Sequence, residues 1–192
     1  MYAVRVIRIV SGELKGRLLA PLPRGVDGLR PSSGRVRGAI FDRLRVETPG
    51  AKLLDLFAGS GALSIEGLSR GAASATLVER NRALHRYLQR QLSSFGLEGR
   101  SRVVQGEALR FLSGPPPEAF DLVLVDPPWA EVALYGSCLE ALASPGWLAP
   151  DAVIVVERSK RAVEVARWPV GYREDAMRPH GDTVLHFLSR GE

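Results

Sequence analysis

The chain has 192 residues, 45% of them hydrophobic, and a mean hydropathy of −0.01. This suits one packed α/β domain with a small appendage and excludes a disordered or fibrous chain. No apolar run approaches the roughly 18 residues needed to cross a bilayer, and Arg5 and Arg8 interrupt the apolar start, so no secretory leader is expected. One cysteine, Cys138, excludes an internal disulfide, fits a reducing cytosol and leaves no cysteine cluster for zinc. The net charge of +5 is uneven: residues 1–50 carry ten Lys/Arg against four Asp/Glu, and the remainder carries sixteen against seventeen. That asymmetry predicts a basic arm for a polyanion on a nearly neutral body, the alternative being a solvated charged face.

In chain order, Val4–Val10 and Leu14–Ala20 are short aliphatic runs around Ser11-Gly12-Glu13 and predict a hairpin. A Pro/Gly-rich connector follows, and Ser32 or Ser33 is placed to cap a helix over Arg35–Arg45. Pro49-Gly50 ends this extension, giving a predicted division into residues 1–50 and 51–192. From Lys52 the pattern alternates, with strands expected at 52–57, 74–79, 101–105, 120–126 and 152–157 and helices at 61–70, 81–95, 107–112 and 131–143. The strands are continuous apolar runs, as when both faces of a parallel sheet are covered. Such βα alternation predicts a doubly wound α/β sheet with ligands at the carboxyl ends of its strands. Segments 169–178 and 183–189, joined by His180-Gly181-Asp182, predict a final antiparallel pair.

Two motifs carry chemistry. The first, Asp55-Leu56-Phe57-Ala58-Gly59-Ser60-Gly61, runs from a strand through a glycine turn into a helix. Its glycines allow close backbone approach, and helix N-terminal amides favour partial negative charge. The third position of a dinucleotide G-x-G-x-x-G is Ser64 here, and Asp55 precedes the turn. Both features favour a cofactor with a cationic amino-acid end, S-adenosylmethionine, over a pyrophosphate. Glu79, 24 residues after Asp55 at the end of the next strand, is placed to accept bonds from ribose hydroxyls. Arg80 is a candidate to lie against adenine, Glu107 to accept from its amino group, and the Ala108 amide to read a ring nitrogen.

The second motif is Asp126-Pro127-Pro128-Trp129. An exocyclic amine on a base is a poor nucleophile because its lone pair is delocalised into the ring. A carboxylate and a proline carbonyl, each accepting one N–H, can turn that lone pair toward a methyl donor. Trp129 offers a face for an extruded base. Such a displacement needs no metal, and His85, His180 and His186 show no metal spacing.

These residues, together with Arg8-Ile9-Val10-Ser11-Gly12, Lys15-Gly16-Arg17, Arg30-Pro31-Ser32-Ser33-Gly34-Arg35-Val36-Arg37 and Ala39-Ile40-Phe41, closely resemble the RsmD-type family over essentially all of the chain. That family consists of bacterial 16S rRNA guanine-N2 methyltransferases. The resemblance implies a class I methyltransferase fold, with a seven-stranded, mostly parallel sheet whose last strand is antiparallel, plus a small basic N-terminal extension. It further implies the small ribosomal subunit or its 16S rRNA as partner, and a cytoplasmic protein, expected to be a monomer. Arg8, Lys15, Arg17, Arg30, Arg35 and Arg37 become candidates for RNA phosphates, with one or two free to reach the cofactor carboxylate instead. Departures are Glu107 where the family usually has Asp, Gly38 where Glu is common, and Trp129 where Phe or Tyr is common. Other readings are an adenine-N6 methyltransferase, since Asp-Pro-Pro-aromatic suits both amines, a non-catalytic RNA-binding assembly factor, and a nicotinamide oxidoreductase.

Overall fold

Seven strands join in one sheet whose order follows from how each apolar run is covered. In the computed structural model, which describes residues 6–26, 32–160 and 168–191, the strands are β1 (Lys52–Asp55), β2 (Ser74–Glu79), β3 (Ser101–Gln105), β4 (Phe120–Val125), β5 (Leu148–Ser159), β6 (Tyr172–His180) and β7 (Thr183–Arg190). They are arranged β3-β2-β1-β4-β5-β7-β6. The first five are parallel, and β7 is antiparallel to both β5 and β6. The chain moves outward from β1 to β3 and then returns to β4, so β1 and β4 flank the point where the winding reverses. A crevice opens there at the carboxyl ends of an α/β sheet.

Helices α1 (Gly34–Arg43), α2 (Ala62–Ser69) and α3 (Arg82–Ser94) cover one face, and α4 (Ala108–Leu112) and α5 (Ala133–Leu142) the other. Successive strand residues point to opposite faces, so Leu53 joins the first core and Leu54 the second. This double burial accounts for the uninterrupted apolar runs. Cys138 is fully buried in the second core, where burial pushes its thiol up to about 12.

The N-terminal segment differs from its predicted form. Among the described residues its hairpin is a short antiparallel bridge, Arg8 with Leu18, flanked by backbone bonds between Ile9 and Arg17, Gly16 and Ile9, and Leu19 and Ile7, and Leu14 is buried in the turn instead of a strand. The segment is too short to pair further because it is tied sideways to α2. The Val10 and Ser11 amides donate to the two oxygens of fully buried Glu66 at 2.8 and 2.9 Å. Ser69 Oγ accepts from the Leu14 amide at 3.0 Å and donates to the Ser11 carbonyl at 2.6 Å. Ile7, Ile9, Leu14 and Leu19 thereby enter the same core as Phe41, Leu53 and Leu68. Smaller departures are β5, which runs from Leu148 to Ser159, β6, which starts at Tyr172 and reaches His180, and α1, which ends at Arg43. Ser33 is the α1 cap, accepting from the Val36 amide at 3.2 Å. The first residues of the predicted hairpin, through Arg5, lie outside the described residues.

Gly12 fixes this docking: its φ is +83°, and a Cβ there would overlap the Ser69 carbonyl. Gly16, at φ +85°, has open space around its Cβ position. Gly16→Ala should therefore cost only the left-handed penalty, about 1–2 kcal/mol. Gly12→Ala should cost at least about 2 kcal/mol more, because the docked backbone must shift. Urea denaturation of the two variants side by side checks the difference.

Candidate active site

The carboxyl ends of β1, β2 and β4 open into a cavity of about 550 Å³. Its walls include Phe57, Ala58, Gly59, Ser60, Glu79, Arg80, Gly106, Glu107, Ala108 and the whole Asp126–Trp129 run. Most of the residues selected from the two motifs thus meet in one place. Gly59 and Gly61 both have left-handed φ, 51° and 73°. Gly61 is the α2 cap and does not line the cavity; a Cβ on it would stand 2.5 Å from Leu88 Cδ2. It is glycine because α2 must start hard against α3.

Two acids of the first motif are held by the backbone and by α2. Glu79 accepts the Gly59 amide at 2.8 Å and the Asn81 amide at 2.7 Å, one on each oxygen, which fixes the carboxylate and the glycine turn together. Each oxygen keeps a second lone pair for a ligand. Asp55 is 1% exposed and lies behind the cavity wall. It accepts Ser64 Oγ at 2.6 Å and, more weakly, the Phe57 amide at 3.3 Å. Ser64, which breaks the dinucleotide pattern, is thus the residue that satisfies Asp55. Burial outweighs both bonds and pushes the Asp55 carboxyl up to about 6.

Arg80 stands at the cavity mouth, half exposed, with Glu131 at 2.8 Å and Glu107 at 3.7 Å. This guanidinium links the end of β2 to the segments after β3 and β4. Glu107 is largely exposed at the start of α4, while Ala108 is buried on the cavity wall.

Sequence reading missed the second layer of the Asp126 site. Ser32 Oγ donates to Glu157 Oε2 at 2.9 Å and stands 3.4 Å from Asp126 Oδ2. Glu157 is buried on β5, with Thr183 Oγ1 at 3.5 Å from its other oxygen. Burial, followed by the charges of Glu157 and Asp55, holds the Asp126 carboxyl well above the usual carboxylate range, and burial likewise raises Glu157. One signal pointed to Glu157: like Asp126, it is an acid at the carboxyl end of an apolar strand. Ser32 carried no such signal, since its sequence fits a helix cap.

The basic residues divide. Arg8, Lys15, Arg17 and Arg35 are exposed. Arg8 Nη1 donates to the Gly16 carbonyl at 2.9 Å, and Arg17 donates to the Ser94 carbonyl at 2.9 Å while its guanidinium covers the Phe95 ring at 4.4 Å. Arg37 is only 3% exposed. It donates to the Ser32 carbonyl at 2.6 Å and the Arg8 carbonyl at 2.7 Å, beside Glu66 at 3.8 Å, so its guanidinium is engaged within the protein at the floor of the groove that Arg8 and Lys15 also line. Arg30 lies outside the described residues. Among the described residues, no cluster of three His, Cys, Asp or Glu side chains could hold a metal.

The raised Asp55 value has a defined effect on stability. Its protonated form is favoured in the folded state, so its contribution is full below the ordinary value of 3.8 and is lost as pH rises through about 6. At roughly 1.4 kcal/mol per pKa unit, the loss is about 3 kcal/mol. Asp55→Asn has no charge to bury. Relative to this variant, the wild-type protein should lose roughly 2 kcal/mol of that unfolding free energy between pH 4 and pH 7, since at pH 4 the unfolded carboxyl is already partly ionised, measured by denaturant titration at each pH.

Comparison with known proteins places this geometry. Residues 7–189 match the family described as Conserved hypothetical protein 95. Ribosomal RNA small subunit methyltransferase D of Escherichia coli K12 is 43% identical over 153 residues, covering 79% of this chain and 74% of that protein. The protein of the same name from Haemophilus influenzae is 34% identical over 156 residues, covering 80% of this chain and 79% of its own length. The solved structure of yhhF from Escherichia coli superposes with a TM-score of 0.83 at 37% identity, covering 97% of this chain and 98% of that one. The sheet order, the site at the β1/β4 switch point and these likenesses converge: this chain has the class I methyltransferase fold and belongs to the Conserved hypothetical protein 95 family, together with the ribosomal RNA small subunit methyltransferases D.

Proposed function

We propose that the protein is an S-adenosylmethionine-dependent methyltransferase that modifies the exocyclic N2 of a guanine in 16S rRNA. The observation that carries this reading is the meeting of Asp126-Pro127-Pro128-Trp129 with the Gly59 turn and Glu79 around one cavity. Its volume of about 550 Å³ falls in the range of small-molecule sites, roughly 300–1,000 Å³. Its acids suit a cofactor that carries a sulfonium and an ammonium. Glu79 is oriented for ribose hydroxyls, and Phe57–Ser60 would face the amino-acid end. Arg80, Glu107 and Ala108 would flank the adenine.

The bound cofactor supplies a methyl group on a positively charged sulfur. Asp126 accepts one N–H of the base amine and the Pro127 carbonyl a second, so that the lone pair points at the methyl carbon. The amine would take the methyl from the sulfonium, whose sulfur would leave as a neutral thioether, and Asp126 or water would take up the proton that the amine gives up. Pro127 and Pro128 hold the acceptors in place, and Trp129 stacks the base.

Substrate choice is supported by the names of the relatives and by the first fifty residues acting as an RNA-binding extension. Arg8 and Lys15 line a second groove of about 690 Å³, and Ser32 lines both that groove and the cofactor cavity. A phosphate chain held by Arg8, Lys15, Arg17, Arg30 and Arg35 would thus run up to the site. Such binding should weaken steeply with salt.

The test is methyl transfer from labelled cofactor to unmodified small subunits and to free 16S RNA, followed by nucleoside mass spectrometry. N2-methylguanosine is the expected product, whereas N6-methyladenosine would replace this reading with the adenine one. Asp126→Ala should lower kcat by at least about 10³-fold, while calorimetry shows cofactor affinity within a few-fold of wild type. Near-wild-type turnover of that variant would sink the proposed role of Asp126.

A further inference from the structure

Asp126 and its two prolines serve any exocyclic amine and cannot by themselves tell guanine from adenine. The structure holds a second carboxylate, Glu157, next to Asp126 and behind Ser32, which lines the cavity. Val125 on β4 pairs in register with Val156 on β5, so the next residues along these parallel strands, Asp126 and Glu157, are neighbours at the carboxyl edge. Ser32 Oγ measures their closeness, 2.9 Å from Glu157 Oε2 and 3.4 Å from Asp126 Oδ2.

Glu157 is 6% exposed, and its hydrogen-bond partners are the hydroxyls of Ser32 and Thr183. Among the described residues, no lysine or arginine forms an ion pair with it. The adjacent Arg158 points to the other face of the sheet, where its Nε donates to His186 Nε2 at 2.8 Å. Two adjacent carboxylates therefore have one close donor between them, the Ser32 hydroxyl, with Thr183 Oγ1 more distant at 3.5 Å, a costly arrangement for the free protein. The groups around the pair add no charge compensation: Asp55 stands on β1, and Tyr135 on α5 is itself pushed beyond the ordinary phenol value. What the pair lacks is a second donor at close range.

Guanine supplies that donor. Its Watson–Crick edge places N1–H directly beside the N2 amine, giving two N–H donors on nitrogens that share C2. Adenine, with its N6 amine presented to Asp126, would instead turn the N1 lone pair toward the second acid. We propose that Glu157 is a specificity-determining residue that accepts guanine N1–H beside Asp126, so that the two carboxylates select guanine over adenine. This inference rests on the guanine-N2 reading above. In the free protein the Ser32 hydroxyl occupies the donor position that the base takes over.

The test uses 2-aminopurine, which keeps the reactive N2 amine but has a lone pair at N1. It is placed by splinted ligation at the mapped target of 16S RNA, and kcat/KM is compared with that of guanine at the same position. Wild-type protein should prefer guanine by at least about 100-fold, because an unmet buried acceptor faces a lone pair. Glu157→Gln can donate its amide N–H to N1. It should lose at least about 30-fold on guanine and bring the guanine/2-aminopurine ratio below about 5. Calorimetric cofactor binding confirms that the variant is folded. Equal use of both bases by wild-type protein would overturn the proposal without recourse to any variant. So would a wild-type ratio retained by Glu157→Gln, and both results leave guanine-N2 methylation standing. Failure of wild-type protein to methylate guanine-containing RNA would overturn both readings.

Discussion

Four carboxylates crowd the carboxyl edge of the sheet, and much of the site is arranged to make that tolerable. Asp55 ends β1, Glu79 ends β2, Asp126 follows β4 and Glu157 lies near the end of β5. Buried like charges destabilise one another unless each is met by donors or keeps its proton. No salt bridge to any of the four is formed among the described residues. Donors come from separate segments instead: the glycine turn and the start of α3 give Glu79 its Gly59 and Asn81 amides, α2 gives Asp55 its Ser64 hydroxyl, and the N-terminal extension gives Asp126 and Glu157 their Ser32 hydroxyl, with Thr183 of β7 also reaching Glu157. The acids cannot be separated from the turn, the helix or the extension without leaving unmet acceptors.

The N-terminal extension is therefore more than a charged arm. Its backbone is tied to α2 through Glu66 and Ser69, and α2 begins at the glycine turn. Arg37 carries the connection to the other end. It grips the Ser32 carbonyl and the Arg8 carbonyl and lies against Glu66, a buried cation opposed by a buried anion. Removing Glu66 would leave buried Arg37 without its anion, whereas Glu66 would keep Arg70 Nε at 2.9 Å. A residue whose charge suggested phosphate thus sets the backbone that presents Ser32 to the two acids.

The sequence made the sheet legible because covered parallel strands must be apolar throughout, and five such runs end where β1 to β5 are found, within a residue or two. It made the cavity legible because Asp55–Gly61 and Asp126–Trp129 lie at strand ends, where local order decides position. What stayed hidden depends on contacts across long stretches of chain. Ser32 and Glu157 are 125 residues apart, and nothing near Ser32 distinguishes a side chain aimed at β5 from a helix cap. The fate of Arg37 was hidden for the same reason, since its neutralising partner Glu66 is on another helix. The hairpin shrank because pairing to α2 replaced pairing within the hairpin, a competition that local alternation does not reveal.

The opposition of signs across the molecule gives the proposed reading its physical logic. The extension carries the excess positive charge of the chain, while the sheet edge it adjoins is lined and backed by acids. An RNA strand is drawn to the first by its phosphates and repelled from the second by the same charges. A base has no net charge and presents N–H donors at its edge, so it is the part of the strand that can enter. A cationic cofactor in the adjoining cavity lowers the cost of ionised acids and favours the form of Asp126 that can accept from an amine. On the proposed reading, backbone affinity and base chemistry would thus be kept apart by charge, with Ser32 lining both the groove and the cavity.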